Sequence, residues 1–164
     1  MSPVNLGALP LTQPVPTGRG QIMYGSTNGT MNYNNTVGAT PLTNGAGTPM
    51  RIAVTPPIDC WWRVTAYTIW SSPDAVWTRA DWGVDLSPAD KDGWSRTYAL
   101  IWVNAGATGV WHHSRTTALY RLAGGVAYTA TMMWIASPSG YNQQVWTGPD
   151  YHCINGHTIG EGRA

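Results

Sequence analysis

The sequence predicts an all-β sandwich, and three observations carry that prediction. Tyr120 to Gly140 (YRLAGGVAYTATMMWIASPSG) reads as an extended segment, a tight Gly124-Gly125 turn, then a long strand closed by Pro138-Ser139-Gly140. In that strand Val126, Tyr128, Ala130, Met132, Trp134 and Ala136 share a face that can fill a core. Ala127, Thr129, Thr131, Met133 and Ile135 share the other. Strong helix formers are scarce beyond the first segment, whereas β-branched and aromatic residues dominate. Strand-like runs also recur between turn signals, with neither a strand–helix alternation nor an internal repeat.

Taken in order, residues 1–20 carry Pro3, Pro10, Pro14 and Pro16 among small and aliphatic residues. Proline at that density forbids a helix and favours an extended path. An arm laid along a neighbouring subunit and a disordered tail both fit. Residues 21–49 are rich in Gly, Asn and Thr, with Asn28-Gly29 and Asn44-Gly45 as turn candidates, and predict edge strands or an irregular segment. The sandwich proper is expected over 50–164.

Met50 to Thr55 is a short strand stopped by Pro56-Pro57. Cys60 to Trp70 alternates, with Trp62 and Val64 on the core side and Trp61 on the other. Ala75 to Leu86 is ambiguous, since Trp77, Ala80 and Val84 suit a helical face while Gly83 and Pro73 favour strand and turn. Ser87 to Gly93 holds Asp90, Asp92 and the single Lys91, and reads as a solvated loop. Trp94 to Asn104 places Tyr98, Leu100 and Trp102 on one side, as core. Val110 to Leu122 precedes the long strand, where Leu122 to Tyr128 (L-x-x-G-x-x-Y) resembles a turn tied by a tyrosine hydroxyl to the backbone. Asn142 to Trp146 follows. Tyr151 to Ile159 predicts a hairpin around Asn155-Gly156.

Length supports one domain with a real core, since a chain near this size hides roughly 68–70% of its unfolded surface. Net charge is +1 and only 10% of residues are charged, against about 25% in ordinary globular chains. Clustered cations for phosphate are lacking, so nucleic acid is not an expected partner. No apolar run reaches a membrane span, and the start lacks the basic and apolar regions of a signal peptide, so a soluble product made in a cytosol is expected. In that compartment Cys60 and Cys153 are expected as buried thiols.

Catalytic constellations are weak. Asp81 and Asp85 would share a strand face about 13 Å apart at 3.3 Å per residue, beyond the roughly 5–9.5 Å of glycosidase pairs. His112 and His113 would face opposite ways. His152 and His157, with Cys153, would approach across the expected hairpin, but the spacing matches no familiar zinc site. Neither a nucleophile elbow nor a phosphate loop is present. No enzyme activity, cofactor or metal is expected.

The ten tryptophans and eight tyrosines, with no phenylalanine, exceed what one core layer absorbs. Trp61, Trp77, Trp82, Trp94 and Trp111 are therefore the candidate binding residues, for an oligomer interface or a glycan. Trp62, Val64, Tyr98, Leu100, Trp102, Tyr128, Met132 and Trp134 are the candidate core.

Three stretches carry a family likeness: TPPIDCWWRV (Thr55 to Val64), YRLAGGVAYTATMMWIASPSG, and YHCINGHTIGEG (Tyr151 to Gly162). Over residues 50–162 they resemble the small β-sandwich minor tail and head-decoration proteins of long-tailed phages that infect actinobacteria. The resemblance implies a jelly-roll-like sandwich, often trimeric, built into the virion without catalysis. The expected partners are then copies of the chain itself, other tail or capsid proteins reached by the N-terminal arm, and a host-envelope glycan. A carbohydrate-binding module using exposed tryptophan is the alternative.

Overall fold

The computed structural model describes residues 21–26, 30–33, 39–71, 78–103, 111–136, 143–150 and 152–160, with backbone only for 31–33, 78–80, 99–103 and 135–136. The described chain forms eleven strands: β1 (Gln21–Tyr24), β2 (Thr30–Tyr33), β3 (Ala39–Pro41), β4 (Arg51–Val54), β5 (Cys60–Ser71), β6 (Thr78–Ser87), β7 (Arg96–Val103), β8 (His112–Leu122), β9 (Tyr128–Ala136), β10 (Gln143–Trp146) and β11 (Cys153–Gly160). No helix occurs among the described residues.

The strands make two antiparallel sheets. The larger has six strands in the order β1-β11-β5-β10-β2, with β8 on the other side of β5. The smaller has five, β3-β9-β6-β7, with β4 also on β9. Strands β1 to β3 come from the Gly, Asn and Thr rich segment and join both sheets, so the sandwich begins well before residue 50.

Alternation decides what the sandwich encloses. From the larger sheet come Cys60, Trp62, Val64, Ala66 and Trp70 of β5 and Ala118, Tyr120 and Leu122 of β8. From the smaller come Trp82, Val84 and Leu86 of β6 and Tyr128, Ala130, Met132 and Trp134 of β9. Trp62, Trp70, Trp82 and Trp134 are all but fully buried. At 150–250 Å² per large aromatic, burial stabilises by about 4–6 kcal/mol each before entropy is charged against it.

Polar latches between the sheets satisfy three of the buried donors, whereas the buried Trp70 Nε1 has no partner. Trp82 Nε1 donates to Ser114 Oγ at 2.6 Å, and Trp134 Nε1 donates to Gln143 Oε1 at 2.6 Å. The Tyr120 hydroxyl donates to the Val84 carbonyl at 3.3 Å. On the flank, β1 covers the edge of β4: Ala53 N–H donates to Gln21 Oε1 at 2.8 Å, and Arg51 N–H to Met23 Sδ at 3.3 Å. An uncovered edge would invite pairing with another chain.

Several expectations are corrected. Residues 153–160 form one unbroken strand, with no hairpin at Asn155-Gly156, because Gly156 pairs with Val64 and lies against the Trp62 indole. The expected approach of His152 and His157 disappears with it. The Ser87 to Gly93 loop is not simply solvated. Asp90 is buried, and its carboxylate accepts the Asp92, Trp94 and Arg121 N–H groups at 3.0, 2.8 and 3.1 Å. Val126 is exposed, since the long strand begins only at Tyr128. The tyrosine tie exists: Ala123 N–H donates to the Tyr128 hydroxyl at 3.1 Å, next to a turn in which Gly125 takes φ 77°.

Candidate interaction surface

Because β5 pairs with β11 on one side and β8 on the other, three strands present one continuous outer face. The register sets its rows. Ile159, Trp61 and Arg121 stand side by side, then His157, Arg63 and Leu119, then Asn155, Thr65 and Thr117, then Cys153, Tyr67 and Arg115. Strand β1 extends the last two rows with Ile22 and Tyr24. Of the exposed large hydrophobic residues, Ile22, Tyr24, Leu119 and Ile159 all lie here, at 49%, 51%, 55% and 44% exposure. Sheet faces normally exposed to water carry polar residues at such positions.

The strands of the face bring only basic charged side chains, and Asp92 from the loop before β7 reaches its end row, 3.8 Å from Arg121. Arg63, Arg115, His113 and His157 are exposed on the face, and no described strand of the larger sheet carries an acidic residue. The Tyr67 hydroxyl and His113 Nδ1 share a hydrogen bond, with the two rings 5.9 Å apart. Burial pushes the Cys153 thiol up, against the opposing effect of Arg115. At the end of β5, Trp111 meets Trp146 edge to face, with centroids 5.7 Å apart at 84°. They come from opposite sides of β5, over the stretch where Ile69 and Ser71 are buried.

The candidate binding tryptophans part company. Trp61 is on the outer face, partly exposed, and Trp111 is half-buried beside Trp146. Trp94 is 66% exposed in the loop after Asp90. Trp82 is not a surface residue; β6 runs in strand phase, and its indole crosses the core to Ser114. Trp77 lies outside the described residues.

Among the candidate core residues, Trp62, Val64, Tyr128, Met132 and Trp134 are buried. Tyr98 is not in the core. It covers Gly83 on the outer face of the smaller sheet and donates its hydroxyl to Asp85 Oδ1 at 2.5 Å. Partial burial and the Asp85 carboxylate both push its hydroxyl above the usual tyrosine range. The side chains of Leu100 and Trp102 lie outside the described residues.

Two of the groups weighed for chemistry, Asp85 and His152, have close neighbours. Asp85 takes Tyr98 and, at 3.7 Å, Arg96. His152 is fully buried; its Nε2 donates to the Thr43 carbonyl at 3.1 Å and its Nδ1 accepts from Thr68 Oγ1 at 3.2 Å. Burial pushes this imidazole down to about 4. Asp59, held by Lys91 and the Gly124 N–H, sits below the usual carboxylate range. No disulfide joins the two cysteines, which stand at opposite ends of the β5–β11 ladder: Cys60 is buried and faces Gly160, whereas Cys153 is only half-buried and faces Tyr67. Among the described residues no group of three His, Cys, Asp or Glu side chains is placed to hold a metal.

Sequence reasoning missed this outer face, whose strands carry no acidic residue. Its signal was available in HHSRTTAL (His112 to Leu119), where alternate positions carry His113, Arg115, Thr117 and Leu119.

No family model matches the sequence, and no curated protein does. Solved structures do. Eiger TNF from S. frugiperda is similar over 88% of this chain and 93% of its own, with a TM-score of 0.57 and 11% identity. Two infectious bursal disease virus structures follow at 10% identity and a TM-score of 0.49: the VP2 subviral particle over 96% of this chain, and the Gt strain over 97%. The chain spans only 38% and 39% of those two viral chains.

Proposed function

We propose that the chain, a jelly-roll-like β-sandwich, is a non-enzymatic structural component of a virion, a minor tail or head-decoration protein of a long-tailed phage. It would be made in the host bacterial cytoplasm, assemble with copies of itself, as a trimer, and be held on the particle by residues 1–20. One observation carries the reading: the outer face of the larger sheet leaves Ile22, Tyr24, Leu119 and Ile159 in water on a protein poor in charge. Large apolar side chains gathered on one sheet face among polar groups mark interaction sites. The phage class and the trimer rest on the sequence resemblance.

The arm precedes β1, a strand at the edge of the larger sheet. Twenty extended residues span at most about 70 Å, enough to cross a neighbouring subunit. Deleting residues 1–20 is expected to abolish incorporation into particles while the sandwich still melts cooperatively. Undiminished incorporation of the truncated chain would overturn the attachment role.

A second reading, a carbohydrate-binding module, draws on the exposure of Trp94. Binding on an array of bacterial envelope glycans, lost in Trp94→Ala, would support it in place of assembly.

A further inference from the structure

The outer face of the larger sheet combines two properties that limit what can cover it. It is apolar and aromatic at Ile22, Tyr24, Trp61, Tyr67, Leu119 and Ile159, and cationic at Arg63 and Arg115. His157 stands directly across from Arg63. Arg115 stands across from Tyr67, four positions further along β5, about 13 Å away at 3.3 Å per residue. Thr65, Thr117 and Asn155 fill the row between and supply hydroxyl and amide groups.

We infer that this face docks an acidic, partly apolar surface of a protein other than this chain. The inference rests on the virion reading only in naming that protein as a neighbour in the particle. Arginine beside aromatic side chains is the usual composition of the energetically dominant part of a protein interface. Aliphatic Ile22, Leu119 and Ile159 suit protein side chains better than sugar rings.

The charge pattern separates this partner from a second copy. A two-fold contact would set Arg63 and Arg115 of one copy against those of another, and like charges oppose association. Nor does the chain offer a free acidic surface elsewhere among the described residues. Asp59 is taken by Lys91, Asp85 by Tyr98 and Arg96, Asp90 by three backbone N–H groups, and Asp92 by Arg121 at 3.8 Å. Asp81 has its own interaction, and Asp150 stands singly in a loop. Residues 1–20 contain no Asp or Glu, so the chain's own arm does not complement the face either.

The test uses the full chain and four probes: a glutamate–tyrosine copolymer, poly-glutamate, polygalacturonate and single-stranded DNA. The copolymer is expected to bind most tightly, and binding should weaken with added salt. Arg63→Glu/Arg115→Glu should weaken it at least about tenfold with the melting transition unchanged. Arg63→Gln/Arg115→Gln should give a smaller loss in the same direction.

Four results would overturn the inference. They are no binding to the copolymer, tighter binding to polygalacturonate or DNA, a changed solution mass in the charge-reversed variant, and tighter copolymer binding once residues 1–20 are removed. The third would make the face a contact between copies, and the last would make the arm its cover. Particle incorporation is scored separately, so the virion reading and the acidic partner can fail independently.

Discussion

The Trp62 indole lies against Gly156: a Cβ at position 156 would meet Trp62 Nε1 at 2.5 Å and Ile52 Cδ1 at 2.7 Å. Gly156 is not among the glycines with positive φ, so its small size rather than its backbone freedom fits it to β11. Gly156→Ala is expected to destabilise the fold by about 1–3 kcal/mol through overpacking. Urea titration of the variant measures this; an unchanged midpoint would mean that Trp62 repacks freely.

Trp82 and Trp94 should respond in opposite ways to truncation. Trp82→Ala removes a buried indole and strands the Ser114 hydroxyl, and is expected to cost about 3–5 kcal/mol. Trp94→Ala, at a site 66% exposed, should stay within about 0.5 kcal/mol. Thermal melts of the two variants make the comparison.

His152 should make stability fall in mild acid. Its folded value is lowered from 6.5 to about 4 by burial, so below 6.5 the unfolded chain takes up the proton first. Above that pH the group contributes no pH dependence. Stability then declines as pH falls towards 4, by an amount on the order of 3 kcal/mol at the limit. His152→Gln should flatten the melting-temperature profile between pH 6.5 and pH 4 relative to the unaltered chain. An equal slope in both would place the titrating group elsewhere.

Asp90→Asn should test the loop before β7. The carboxylate accepts three backbone N–H groups, and an amide would turn a donor towards one of them. The expected cost is about 1–3 kcal/mol, with faster amide exchange at Asp92, Trp94 and Arg121 as the local signature.

These contrasts show how much of the fold is legible in the sequence. Strict alternation made Trp62 and Val64 of β5 and Tyr128, Met132 and Trp134 of β9 readable as one core, because a strand has only two faces. The tie from Tyr128 to Ala123 was readable because it is local. Asn155-Gly156 misled because the same dipeptide serves a turn by its conformation and a strand by its size, and only the long-range neighbour Trp62 distinguishes them. Tyr98 misled for a related reason: the missing side chain at Gly83 opens an outer site with Asp85 at hand. Trp82 was hidden by a segment whose apolar spacing fits both periods. The outer face needed the register of β1, β11, β5 and β8, which no single strand encodes.

The most direct test of the central claim is quantitative mass spectrometry of purified particles from the genome that encodes this chain, with light scattering of the isolated protein. The chain should be present in the particle at a copy number divisible by three, and form a trimer in solution with or without residues 1–20. A chain absent from particles and monomeric in both forms would overturn the virion reading.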